Sequence, residues 1–92
     1  MILVDEIIEH PIRAINPAAR KFGRKWCHMV SDTSIEELHE FATMLFNNRP
    51  DLAKKWYQKS HYDLTPTLRS HAIGLGAKEV DSHELVKRMI KE

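Results

Sequence analysis

Three carboxylates, Asp5, Asp32 and Asp63, each follow a short apolar or aromatic run. Three acids gathered at strand ends could hold magnesium for phosphodiester hydrolysis. A second constellation is basic and aromatic. Arg13, Arg20, Lys21, Arg24 and Lys25 follow Glu9 with no further acid between them and lead into Trp26, while Lys54, Lys55 and Lys59 surround Trp56-Tyr57. Guanidinium and ammonium groups pair with phosphate, and the faces of Trp and Tyr stack on a base. Together they could hold both halves of a nucleotide. Each set also has a structural reading. Acids before Ser34 and before Thr65-Pro66 suit helix starts, and two Trp in a chain with few aromatics suit a core.

The histidines at 10, 28, 39, 61, 71 and 83 and the single Cys27 show no spacing of a structural zinc site. Cys27 and His28 are adjacent on an expected strand, so they point to opposite faces and do not form a thiol–imidazole dyad. His28 and His61 both approach expected strand ends. Arg69 falls in the first turn of the helix after His61-Tyr62-Asp63, where a helix N-terminus would also favour an anion. Gly23, Gly74 and Gly76 lack the spacing of a phosphate-binding loop, so binding would rest on side chains.

Strands and helices must bring these groups together. Met1 to Val4 reads as a strand buried on both faces, and Lys25 to Ser31 as a second. Between them, residues 6–25 form a long basic loop. Ser34 with Glu37 makes a capping box, and Ile35, Leu38, Ala42 and Leu45 recur on one stripe, which predicts a helix over 34–47. Residues 52–58 fit helix or strand; a helical turn followed by a third strand is the preferred reading. Thr65-Pro66 opens a helix over 66–75 that stops at Gly76, and Ala77 to Val80 gives a fourth short strand. Asp81 with Glu84 caps a last helix over 82–91. The expectation is an α/β fold: a small, mainly parallel or mixed sheet of three to four strands with three helices. In parallel sheets ligands bind beyond the carboxyl ends of the strands, near Asp5-Glu6, Asp32, Asp63 and Asp81-Ser82-His83.

At 92 residues the chain makes a single domain. Hydrophobic residues at 42% and charged ones at 29% describe an ordinary globular composition. The formal charge of +1 gives no global field to recruit nucleic acid or membrane. One Cys closes no intrachain disulfide, and the apolar start ends at Asp5, too short for a leader or a membrane span. Cytoplasmic location is the corresponding expectation.

Trp26-Cys27-His28-Met29, Ser31-Asp32-Thr33, Glu36-Glu37-Leu38-His39, Trp56-Tyr57-Gln58, His61-Tyr62-Asp63-Leu64 and Gly76-Ala77 together resemble the bacterial and phage family called domain of unknown function 4031. The resemblance covers nearly the whole chain. It implies a small single domain that uses the Trp, His, Tyr, Asp and Arg residues of that pattern, and it supplies no activity. Phe46 to Lys55 is longer here than in many members.

The sequence thus points first to a non-catalytic binding module for a phosphorylated, nucleotide-like small molecule, with no cofactor and with homo-oligomers in view. A phage protein of this kind would sequester a nucleotide signal, an anti-defence role. The expected ligand-binding residues are Arg20, Arg24, Trp26, His28, Asp32, Trp56, Gln58, His61, Tyr62, Asp63 and Arg69. The alternatives are a magnesium-dependent nuclease or phosphohydrolase built on Asp5, Asp32 and Asp63, and a protein-interaction module that inhibits a host factor.

Overall fold

Ile2–Val4 form β1, three apolar residues that are all buried between two layers. The computed structural model describes residues 1–9 and 23–91. Ile8–Glu9 form β2, and Lys25–Ser31 form β3, where Trp26, Cys27, Met29 and Val30 are all buried. α1 spans Ile35–Leu45; its Ser34 cap accepts from the Glu37 amide at 3.0 Å, and Leu38, Ala42 and Leu45 face inward. It stops where Asn47 and Asn48 take positive φ before Pro50.

Residues 52–58 resolve as a helical turn and then a strand. Pro50–Ala53 form α2, Lys54–Trp56 a 3-10 turn and Tyr57–Gln58 β4. β4 pairs antiparallel with β5, His61–Leu64, through Lys59 and Ser60. Both central residues have positive φ, as the tightest hairpin turns require, and the Ser60 amide donates to the Tyr57 hydroxyl at 2.9 Å. α3 spans Pro66–Gly74 behind its Thr65 cap and ends at Gly76, whose φ of 114° suits glycine. Lys78–Glu79 form β6. α4, Ser82–Arg88, is capped by Asp81 and is shorter than expected, because Met89 turns extended and the Ile90 amide donates to the Ser31 carbonyl at 2.9 Å.

The α/β class stands, with a mixed sheet. Among the described residues there are six strands and four helices rather than three to four and three. The order is β4-β5-β3-β1-β6, with β2 paired to β3. β1 pairs parallel with β6, whereas the β1–β3, β2–β3, β3–β5 and β4–β5 pairs are antiparallel. The mainly parallel arrangement is therefore corrected. Alternation of strands and helices misleads here because β3 runs antiparallel to both β1 and β5, a direction that alternation along the chain does not specify.

The reversal splits the polar turns. The carboxyl end of β3, at Ser31-Asp32, lies at the opposite end of the strands from Asp5, which follows the antiparallel β1. Strand alternation also sorts the two faces. Ile2, Val4, Cys27, Met29, Tyr62 and Leu64 join the main core with Leu38, Ala42 and Leu45 of α1 and Ala72 of α3. Leu3 and Val30 point the other way and pack on Leu85 of α4. Of the expected long loop, Ile8 and Glu9 form β2 and residues 10–22 lie outside the described residues.

The second core is small, so one side chain carries much of it. Leu85→Ala should destabilise the fold by about 2–4 kcal/mol, while Val86→Ala, at a position 57% exposed on the same helix, should change it by less than about 0.5 kcal/mol. Urea unfolding of the two variants checks this.

Candidate functional site

Asp5 emerges from β1 directly opposite His28, and its carboxylate is 1% exposed. It accepts from the His28 backbone amide at 2.6 Å and lies 2.8 Å from the His28 ring nitrogen Nδ1. The Ser82 hydroxyl, in the first turn of α4, lies 3.0 Å from Asp5 and 2.5 Å from Glu6. The Asp5 carbonyl accepts from Arg69 Nε at 2.7 Å. One residue thereby ties β1 to β3, α3 and α4.

Register carries the row further. His28 pairs with Asp63 across β3 and β5, and His61, two residues before Asp63, shares its face. His61 Nε2 stands 3.3 Å from the Asp63 carboxylate, while its Nδ1 lies 3.0 Å from the Lys59 carbonyl. The His28 and His61 rings meet edge to face at 5.2 Å. One nitrogen of each imidazole and an oxygen of Asp63 lie within 4.8 Å of one another, close enough to serve one cation. Both imidazoles also line a cavity of about 150 Å³ walled by Val30, Leu85, Val86 and Met89. Met89 is shared with a groove of about 390 Å³ lined by Lys59, Ser60 and Lys91.

The charges are tuned by contact. Burial pushes the Asp5 carboxyl up, but hydrogen bonds from the His28 ring and amide outweigh it and hold the group below the ordinary value. The hydrogen bond to Asp5 raises the His28 pKa, against burial, and the nearby charge of Asp5 adds to it. Burial drives the Cys27 thiol up to about 12, helped by the charge of Asp5, so it is no nucleophile.

The other expected site residues lie elsewhere. Asp32 does not converge with Asp5 and Asp63: it holds the Met1 amine at 3.0 Å and Arg88 at 2.6 Å, and these hydrogen bonds lower its pKa to about 2. The antiparallel course of β3 is the reason, and the three-acid magnesium site is corrected accordingly. Trp26 and Trp56 are 2% and 7% exposed and pack on each other with centroids 5.5 Å apart, so they offer no open face for a base. Tyr62 is buried on the opposite face, with its hydroxyl 2.7 Å from His39 Nδ1. Arg69 points to the Asp5 carbonyl and to Glu79 at 3.1 Å, not to the His61 turn. Gln58 is exposed and pairs with His61. Arg24 lines a different groove with Glu9, Gly23, Lys25 and Pro66. Arg20 lies outside the described residues.

His28, His61 and Asp63 all stand among the expected binding residues, but the direct contact of the two imidazoles is not legible in the sequence, because 33 positions separate them and only strand register joins them. One signal was present: His61 and Asp63 alternate within a strand, which puts two ligating side chains on one face.

A mixed sheet packed by helices, with a histidine–carboxylate cluster on the face toward α4, makes this a small α/β domain. The chain belongs to the family described as protein of unknown function (DUF4031), whose sequence profile matches residues 15–92. No curated protein and no solved structure matches it. Among the described residues no helix is long and apolar enough to cross a membrane.

Asp5→Ala would strip the acceptor from a buried amide, an imidazole and a hydroxyl, and should cost on the order of 3 kcal/mol in urea unfolding. The Asp5–His28 pair also sets a pH window. A lowered Asp5 pKa stabilises above the unfolded value of about 3.9 and fades as pH falls through the folded one; a raised His28 pKa stabilises fully below about 6.5 and is lost as pH rises through the folded one. Melting temperature in chelator should therefore fall as pH climbs past the raised His28 value. The same scan of His28→Gln should lack that component.

Proposed function

We propose that this chain is a binding module for a phosphorylated small molecule of nucleotide-like size, seated on the His28–His61 face rather than over the tryptophans. One observation carries the reading. The cavity bearing the two imidazoles has apolar walls and shares Met89 with a groove whose polar lining is Lys59, Ser60 and Lys91. An apolar hollow for a ring beside ammonium groups for an anion suits such a ligand.

The acids of the cluster do not oppose this. Asp5 is buried and faces His28, and Asp63 stands against His61, so imidazole rather than carboxylate lines the cavity. Sequestration of a nucleotide signal by a phage protein remains the biological form of this proposal.

A hydrolytic reading is favoured by a different observation: imidazole nitrogens of His28 and His61 and a carboxylate oxygen of Asp63 lie within 4.8 Å of one another, the pairing that proton transfer in phosphate-ester hydrolysis uses. Turnover distinguishes the two.

Calorimetry with ADP in chelator should show binding that weakens as salt is raised, because exposed lysines are screened. Replacing both Lys59 and Lys91 by Ala should lower affinity about tenfold or more, with the fold retained. Absence of binding by ADP, or equal affinity in the double variant, contradicts the reading. Release of phosphate from ADP would move the protein to the hydrolytic class.

A further inference from the structure

We infer that His28, His61 and Asp63 form a binding site for a zinc-class divalent transition-metal ion, with Asp5 and the Lys59 carbonyl acting as positioning groups for the two imidazoles. The site shares the imidazole-lined cavity of the phosphorylated-ligand reading, but the ion is held by His28, His61 and Asp63 whereas the anion is held by Lys59 and Lys91.

Donor type comes first. Two imidazoles and one carboxylate suit zinc and its neighbours; magnesium and calcium prefer an all-oxygen shell. Donors about 2.0–2.1 Å from a tetrahedral ion lie about 3.3 Å from each other. His61 Nε2 and the Asp63 oxygen already stand 3.3 Å apart, and the full set of three spans no more than 4.8 Å. Small side-chain rotations close the remainder.

The positioning groups give the second argument. A metal-binding imidazole commonly has its other nitrogen hydrogen-bonded to a carboxylate or a backbone carbonyl, which fixes the ring and its tautomer. Both forms occur here. His28 Nδ1 meets the Asp5 carboxylate at 2.8 Å, and His61 Nδ1 meets the Lys59 carbonyl at 3.0 Å. That leaves Nε2 as the ligating nitrogen on each ring. In the neutral His61 ring, Nδ1–H donation to the Lys59 carbonyl makes Nε2 an acceptor, and it faces the carboxylate of Asp63, another acceptor. A cation between them resolves the opposition.

The surroundings suit a cation with an open position. Asp5, Glu6 and Asp63 lie about the cluster, and the side chains of His28 and His61 are 33% and 24% exposed toward the cavity. Three protein ligands leave a fourth place for water or for a ligand oxygen, as in sites that act on bound molecules rather than staple a fold. Cys27, whose side chain lies in the main core, takes no part.

The test uses the ion alone. Purified chain stripped with chelator is titrated with zinc by calorimetry and with cobalt by visible absorption, with magnesium as control. One zinc per chain is expected, with cobalt absorption of four- or five-coordinate intensity and no response to magnesium. His61→Ala and Asp63→Asn should each weaken zinc by about 100-fold or more, and Asp5→Asn by about 10- to 100-fold through loss of the His28 orienter. His71→Ala, at an exposed position on α3, should change nothing. X-ray absorption of the zinc-loaded wild type should show imidazole scattering with only nitrogen and oxygen donors at about 2.0–2.1 Å. This readout stands even if a variant fails to fold. Sulfur scattering, equal zinc affinity in wild type and the folded His61→Ala variant, or no stoichiometric zinc overturns the site. Since ADP binding is measured in chelator, failure of either idea leaves the other to its own result.

Discussion

A buried carboxylate cannot stand alone, and Asp5 is the place where this chain meets that constraint. Moving an ionised carboxyl out of water costs several kcal/mol unless hydrogen bonds replace the lost solvation. Asp5 is supplied by the His28 amide, the His28 ring and the Ser82 hydroxyl, and Arg69 adds a bond to its carbonyl. These partners come from β3, α3 and the first turn of α4. Satisfying one charge therefore aligns the central strands, closes two helices onto the sheet and orients the imidazole that faces the cavity.

The two faces of the sheet divide the work of stability and chemistry. The face toward α1 and α3 is densely apolar, with the tilted Trp26–Trp56 pair and the buried Tyr62 among its residues. Among the described residues, the face toward α4 has Leu3, Val30 and Leu85 as its buried core. A thin apolar layer leaves room for His28, His61 and Asp63 beside it. The two imidazoles can be held partly exposed there because the opposite layer supplies most of the burial that stabilises the fold.

Local features were legible in the sequence. The caps at Ser34, Thr65 and Asp81 and the stripe of Leu38, Ala42 and Leu45 lie where their chemistry requires, since a cap acts within one turn. Strand direction was not legible, because it depends on how distant segments pair. That single unknown decided the site: with β3 antiparallel, Asp32 moves to the far end of the strands and His28 moves beside Asp5 and Asp63. The aromatic residues misled for a related reason. Trp26 sits beside a run of cations in sequence, yet its ring turns inward to Trp56 and its indole nitrogen donates to the Gly23 carbonyl. A pattern of neighbours along the chain does not say which way a side chain points.

The central claim is that Asp5 positions and charges His28, and the imidazole signals of His28 report on it most directly. Nitrogen NMR of labelled chain, titrated with pH in chelator, should show His28 in wild type with Nδ1 protonated and a pKa above the ordinary histidine value of about 6.5. In Asp5→Asn, still folded, that pKa should drop and the Nδ1 signal should move toward the mixture of tautomers of a free ring. A His28 that titrates at the ordinary value in wild type, with no change in Asp5→Asn, would contradict the account.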